Sequence, residues 1–213
     1  MPSAPSSSRP VLVLATLNPH KGRELQALLG AVPFQIKLLS EFPGAQLPEE
    51  TGRTYAENAL VKARTAARLT SVLALGDDSG LEVDALGGAP GIHTARFGGP
   101  GLSDRERWEL LLERLRDVPP ARRTARFRCV IALARPAPGE QVVEGVVEGV
   151  IAEAPRGNGG FGYDPVFFYP PLGRTFGEIS DEEKQRVSHR AKALGAVRRL
   201  LASDIVGSSD STR

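Results

Sequence analysis

Apolar positions along this chain follow two rhythms, short unbroken runs and longer stretches in which they recur every three or four residues. "VLVLAT" at 11–16 is an unbroken apolar run, the form of a strand buried on both faces. Asn18 followed by Pro19 then reads as a helix start, and the amphipathic segment behind it reaches about Leu29. "FQIKLLS" predicts a second strand, and the Pro/Gly-rich "EFPGAQLPEETG" predicts a loop. "TYAE", "SDRE" and "SDEE" each carry the Ser/Thr-x-x-Glu spacing of a capping box, and each opens a long helical pattern, from Thr54, Ser103 and Ser180. Between the last two lie "TARFRCVIALA" and "EQVVEGVVEGVIAE", a pair of longer strands that "RPAPGE" turns into a hairpin. In "LGDDSGLEVDALGGAPG", at 75–91, an apolar run meets two aspartates, a serine and a glycine, so a strand is expected to stop there in a polar turn. Strands alternating with helices in this way predict an α/β fold, with a mixed sheet, helices packed on it and a cleft where the polar loops converge.

Composition narrows the picture. The chain has 213 residues, large for one domain and small for two, and it shows neither an internal repeat nor an interdomain linker. One domain is therefore expected over 11–204, between a flexible arm at 1–10 and a flexible tail at 205–213, both Ser-rich and polar. A net charge of only +2, with Arg and Lys spread along the chain, argues against nucleic acid or a membrane surface as partner. No apolar run approaches the roughly 20 residues that span a bilayer. The single cysteine, Cys129, excludes an internal disulfide and makes a cytoplasmic home the default expectation.

Four polar loops carry residues that chemistry can use. "ATLNPHK" joins a buried strand to a helix start, where free backbone N–H groups and the helix dipole favour an anion, and Lys21 adds charge. "EETGRTYAENALVKA" places Asn58 and Lys62 on one helical face, with Glu49 and Glu50 in the loop before, either of them free to turn toward a cation. "RGNGGFGYDPVFFYPP" matches G-x-G-x-x-G through Gly157, Gly159 and Gly162, but Tyr163-Asp164-Pro165 cannot readily open the helix that a dinucleotide fingerprint needs. What is left is a pliable loop presenting Phe161, Tyr163 and Asp164, a set that suits a planar, hydrogen-bonding ligand such as a nucleobase. In "EKQRVSHRAKAL", Lys184 and Ser188 share a helical stripe, while His189 and Arg190 point further round with each residue. Either the helix breaks near 187–190 or these side chains line different walls. The three histidines lack zinc spacing, and neither a Walker loop nor a G-x-S-x-G elbow occurs. Taken together the loops hold phosphate binders, carboxylates for a hard cation and base-sized aromatic groups, the inventory for a nucleoside polyphosphate with Mg²⁺; Asp77, Asp78 and Glu50 are ligands of the right kind.

In "LATLNPHKGREL", "EETGRTYAENALVKA", "DDSGLEVDALGGAPGIHTARF", "GGFGYDPVFF" and "EKQRVSHRAKAL" the chain resembles the inosine triphosphate pyrophosphatases, also called non-canonical purine NTP or dITP/XTP pyrophosphatases. The five matches stand in order and cover roughly residues 11 to 200. The resemblance implies an elongated α/β fold on a long central mixed sheet, with two lobes about an active-site cleft, and usually a homodimer. It implies Mg²⁺-dependent hydrolysis of ITP, dITP or XTP to the monophosphate and pyrophosphate. Residue by residue it makes Thr16 to Lys21, with Asn18 among them, a phosphate-binding turn and Lys62 a second phosphate contact. Through its "E-x-G-x-T" pattern it makes Glu50, with Asp78, the Mg²⁺ ligands, and Asp78 also the proton acceptor for the attacking water. Ser79, Phe161, Gly162, Tyr163, Asp164, Lys184, His189 and Arg190 would bind substrate, the last several at the base. His93 and Thr94 depart from the Tyr-Ser common in the family, and "FGEIS" from Ala-Glu-Leu. Two other readings remain beside this one: a pyrophosphatase for modified pyrimidine or standard nucleotides, and a nucleotide-binding regulator without turnover.

Overall fold

A computed structural model describes residues 9–137 and 139–209. The strands are β1 (Val11–Leu14), β2 (Gln35–Leu38), β3 (Leu73–Val83), β4 (Thr124–Ala134), β5 (Glu140–Ile151), β6 (Phe167–Tyr169) and β7 (Arg174–Thr175). The helices are α1 (Pro19–Leu29), α2 (Tyr55–Thr70), α3 (Asp104–Arg114), α4 (Asp181–Val187) and α5 (His189–Ser209). All but Arg9 and Pro10 of the expected N-terminal arm lie outside the described residues; α5 runs to Ser209 and takes in 205–209 of the expected tail, of which 210–213 lie outside them.

One seven-stranded sheet in the order β2-β1-β3-β4-β5-β6-β7 organises the chain. It is mixed, as the alternation of elements predicts: β1 pairs in parallel with β2 and β3, and the remaining pairs are antiparallel. The β4–β5 hairpin forms as expected, with Thr124 opposite Val150 and Ala134 opposite Glu140. Ser103 and Ser180 make complete capping boxes; Thr54 accepts from the Glu57 amide, while the Glu57 carboxylate turns to Arg53 instead.

The aspartate pair overturns the expected strand end. β3 continues through Asp77, Asp78 and Ser79 without interruption, each opposite a residue of β4 (Ile131, Val130 and Cys129), and stops only at Val83. Turn propensity loses here because β4 pairs with the backbone along one edge, β1 having ended its pairing at Leu75, and because the charged side chains find partners on the two faces of the sheet.

The long central strands carry a core at each end. Toward one end, Leu12, Leu14, Leu75, Ile131 and Leu133 pack under α1 and α5, while Val13, Ala74, Val130 and Ala132 pack under α2 on the opposite face. Toward the other, Leu81, Val83, Phe127 and Val147 join Leu111, Phe167 and Phe176 in an aromatic second core. Asp77, Asp78 and Ser79 fall between the two cores, at the middle of β3.

Two strand glycines let the helices lie close enough to reach this point. A Cβ on Gly76 would sit 2.6 Å from the Ala63 amide nitrogen of α2, and one on Gly145 would sit 2.5 Å from the Ala193 nitrogen of α5. Both obstacles are helix backbone, which cannot rotate away. Gly145→Ala is therefore expected to cost about 1–3 kcal/mol, the usual range for overpacking, and more if α5 cannot shift. Thermal unfolding of this variant beside a glycine control with open space and an ordinary helical φ, Gly195→Ala, checks this; equal melting temperatures would contradict it.

Candidate active site

Strand geometry sends Asp77 and Asp78 to opposite faces. Both are almost fully buried, at 2% and 3% exposure, so each must be paired. Asp78 points toward α2, where Asn58 Nδ2 donates to its Oδ2 at 2.9 Å and Lys62 Nζ stands 3.7 Å from its Oδ1. Asn58 is itself fixed by accepting the Gly52 amide at 2.8 Å, so the loop before α2 and the strand are tied through one amide side chain. Lys62 also donates to Glu50 Oε1 at 2.7 Å. Its ammonium thus gathers two carboxylates from separate segments, and Arg96 approaches Glu50 from the outside at 3.9 Å. Of the two loop glutamates, Glu50 joins this cluster and Glu49 is exposed.

Asp77 points the other way. Lys21 Nζ of α1 lies 3.2 Å from its Oδ2, Arg190 Nε of α5 lies at 4.0 Å, and Ser79 Oγ donates at 3.3 Å. Arg190 in turn donates to Glu24 Oε2 at 2.9 Å, which links the first turn of α5 to α1. Glu24 carried no signal of its own in the sequence, although it follows Lys21 by three residues on the same helix face.

Burial and charge act oppositely on the two aspartates. Burial alone would raise the Asp77 carboxyl, but Lys21, Lys62 and Arg190 together outweigh it and hold the group far below the usual carboxylate range. At Asp78 burial prevails, reinforced by the Glu50 charge, and raises the carboxyl despite Lys62 and Asn58. A raised carboxyl is the more basic one, so the two neighbouring aspartates differ in proton affinity. Burial likewise opposes ionisation of Glu50, which Lys62 nevertheless keeps below its ordinary value.

At the start of α1 the expected free amides are occupied. Asn18 Oδ1 accepts from both His20 N at 2.9 Å and Lys21 N at 3.2 Å, the Gly22 amide bonds the Asn18 carbonyl, and Pro19 has no N–H. Thr16 Oγ1 completes the turn by accepting the Asn18 amide at 3.2 Å. Positive charge at this corner therefore resides in the Lys21 ammonium and the helix dipole rather than in unbonded backbone donors.

The break expected near 187–190 falls at Ser188, whose extended backbone separates α4 from α5. It lets Lys184 on one helix and His189 and Arg190 on the next face the same region. Lys184 Nζ donates to Asp164 Oδ2 at 2.5 Å, and the Phe161 amide donates to the same oxygen at 2.8 Å, which fixes the "GGFGYDP" loop on α4. No α-helix follows that loop, only a short turn at Asp164–Val166, so the dinucleotide fingerprint is excluded. The Phe161 ring lies 4.6 Å from Lys184 Nζ and 5.3 Å from the Arg190 guanidinium. Tyr163 donates from its hydroxyl to the Thr94 carbonyl at 3.1 Å, and Phe127 stacks on His189 with centroids 4.9 Å apart.

These walls enclose a cavity of about 170 Å³ that runs from Asn18 and Lys21 past Ser79 to His189 and Arg190. Phe161, Gly162, Tyr163 and Asp164 line it as the sequence anticipates. Phe127, Asp104 and Arg107 line it too, without any signal in the sequence: Phe127 reads as an ordinary strand residue and the other two as a solvated helix start. Lys62, Glu50 and Asp78 belong to the neighbouring cluster on the other face of β3, and Lys184 stands behind Phe161.

A hard divalent cation fits the Glu50–Asp78 cluster. Two carboxylates already converge on one cationic atom, and among the described residues no group of three or more Asp, Glu, His or Cys side chains forms a complete cage. Mg²⁺ characteristically takes one or two carboxylates and completes its shell with phosphate oxygens and water.

The model of the Ham1 family matches residues 12–200, and the chain belongs to that family. It is 50% identical over 183 residues to a dITP/XTP pyrophosphatase of Geobacillus kaustophilus, covering 86% of this chain and 90% of the relative. It is 52% identical over 186 residues to one of Thermus thermophilus, covering 87% and 89%. A HAM1 protein from Coxiella burnetii superposes with a TM-score of 0.82 at 42% identity, over 90% of this chain and 98% of that one.

His189 supplies a pH test of the site. Burial, helped by Arg190, Lys184 and Lys21, depresses its imidazole well below the ordinary value near 6.5, so it is neutral in the fold. The unfolded chain takes up a proton below about pH 6.5 and the native one does not. Stability present above that pH is thus lost as pH falls toward the depressed value, by up to about 1.4 kcal/mol per pH unit. Wild-type melting temperature should drop between pH 7 and pH 5 more steeply than that of His189→Phe; parallel curves would refute this.

Proposed function

We propose, from membership of the Ham1 family and from the site between its two cores, that this chain hydrolyses ITP, dITP and XTP to the monophosphate and pyrophosphate. The single observation that carries the chemistry is the split aspartate pair, which leaves buried Asp78 basic beside the Lys62 ammonium while Asp77 stays ionised beside Lys21. Names of the relatives at about half identity supply the substrate class.

In this reading the triphosphate lies along Lys21 and Lys62, and the base enters the cavity toward Phe161, His189 and Arg190. Asp78 orients a water against the α-phosphorus and takes its proton as the new P–O bond forms. Asn58 holds the carboxylate in place for that transfer. The bond from the α-phosphorus to the bridging oxygen breaks, and pyrophosphate departs against the two lysines. Mg²⁺ held by Glu50 and Asp78 would neutralise charge on the phosphate oxygens. Asp77 stays ionised and positions Lys21 and Arg190. At the base, Arg190 donates to a 6-oxo acceptor, and adenine, which carries a donor there, leaves both sides unpaired. A homodimer, usual in the resembled family, belongs to the same proposal.

Pyrophosphate release from ITP, dITP, XTP, ATP and dCTP tests the reading. Activity on the first three should exceed that on the last two by at least about 100-fold, fall to background on chelation of divalent ions, and return with Mg²⁺. Asp78→Asn should lose about 10²–10⁴-fold in kcat while melting at or above the wild-type temperature, because the amide removes a buried charge that burial disfavours. A variant retaining near-wild-type turnover would remove Asp78 from its role.

A further inference from the structure

We propose that Arg107 is a specificity-determining residue that reads position 2 of the purine, favouring the 2-oxo group of xanthine and rejecting the 2-amino group of guanine. The proposal rests on the purine reading above and deepens it.

Among the described residues four buried side-chain nitrogen or oxygen atoms lack a hydrogen-bond partner: Tyr55 Oη, Arg107 Nη1, His189 Nδ1 and Arg190 Nε. The residues carrying the last three all line the one cavity. Buried polar groups in native proteins are almost always satisfied, so three orphans lining one cavity point to a polar ligand that satisfies them. His189 and Arg190 already have parts in the base site. Arg107 does not, and it comes from a different element, the second turn of α3, on the side of the aromatic second core.

Comparison with the other buried arginines shows what is unusual. Arg123 spends its guanidinium on the carbonyls of Val118, Leu115 and Ala152, at 2.9, 2.8 and 3.5 Å. Arg190 is paired with Glu24. Arg107, only 9% exposed, makes one hydrogen bond among the described residues, from Nε to the Ala95 carbonyl at 3.0 Å, and no carboxylate stands at ion-pair distance. The nearby Asp104, which lines the same cavity, is engaged by the Gly162 amide at 2.8 Å. A buried guanidinium nitrogen with neither a counter-ion nor a hydrogen-bond acceptor is unfavourable and gains most from an acceptor brought in by a ligand.

Positions 2 and 6 of a purine flank N1 on one edge, and the cavity is small enough for donors from both walls to meet one ring. With Arg190 at the 6-oxo group, the second guanidinium meets position 2. Xanthine offers an oxygen acceptor there, hypoxanthine a hydrogen, and guanine an amino donor that opposes the Arg107 donor and leaves both unpaired. The order expected from Arg107 is therefore XTP over ITP, with GTP last. Arg190 cannot make this distinction, since all three bases carry the 6-oxo group.

The test compares wild type, Arg107→Met and Arg107→Gln in kcat/KM for XTP, ITP, dITP and GTP. Both variants should lower the XTP:ITP ratio by about 10- to 100-fold, the effect of one charge-assisted hydrogen bond, and raise GTP relative to ITP. Ratios within one preparation cancel any difference in folded fraction. Equal losses on all bases would make Arg107 a structural residue and overturn the proposal. So would a change confined to the ITP:dITP ratio, which would place it at the ribose. Calorimetric binding of XMP and IMP reads the same preference without turnover. A wild type that binds both monophosphates yet releases no pyrophosphate would sink the pyrophosphatase reading alone, and an XMP:IMP ratio unaltered by either variant would sink the Arg107 proposal alone.

Discussion

Two adjacent buried carboxylates in the middle of a strand constrain the rest of this molecule. Period-two alternation sends Asp77 and Asp78 to opposite faces of the sheet, and neither face can leave a charge unpaired. α2 must therefore bring Asn58 and Lys62 to one side, while α1 and α5 bring Lys21 and Arg190 to the other. Three helices from distant parts of the chain are located by the demands of two consecutive residues. Such an arrangement is easily broken by removing one partner, because the remaining charge is stranded in a place water does not reach.

The sheet meets that demand by being thin where the helices cross it. Gly76 on the α2 face and Gly145 on the α5 face remove the side chains that would hold the helices off. Gly76 immediately precedes the aspartates, and Gly145 pairs with Cys129, itself opposite Ser79, so both close approaches fall beside the charged residues. Beyond this point the strands run on into a second, aromatic core, and the cavity opens between the two. Packing and chemistry are thus coupled in one dimension: the position along β3 sets whether a side chain serves the first core, the site or the second core.

Unequal environments then give equal residues different work. Asp77 faces Lys21 and Arg190, feels the charge of Lys62 as well and stays ionised, while Asp78 shares one ammonium with Glu50 and is raised by burial. The break at Ser188 acts in the same way on α4 and α5, because a continuous helix could not present Lys184, His189 and Arg190 to one region.

Much of this was legible in the residues. Apolar runs located β1, β4 and β5, Ser-x-x-Glu spacing located the starts of α3 and α4, and Pro165 excluded a dinucleotide helix, since each of these signals is local and acts through a few neighbouring dihedrals. The candidate residues in Thr16–Lys21, Phe161–Asp164 and His189–Arg190 were also visible, as polar groups where periodicity lapses. Local propensity failed at "DDSG", where turn-forming residues are held in a strand by hydrogen bonds to β4 and by partners on both faces. It could not separate the roles of Asp77 and Asp78, which depend on charges contributed by α1, α2 and α5. Nor could it find Arg107, Phe127 or Glu24, because a buried arginine at a helix start reads like a solvated one until α3 is packed against the cavity. Sequence alone determined which elements form and which residue types were available for phosphate, metal and base. Tertiary structure alone decided which of them share a dielectric and a partner, because desolvation and Coulomb pairing depend on distance in space rather than separation along the chain.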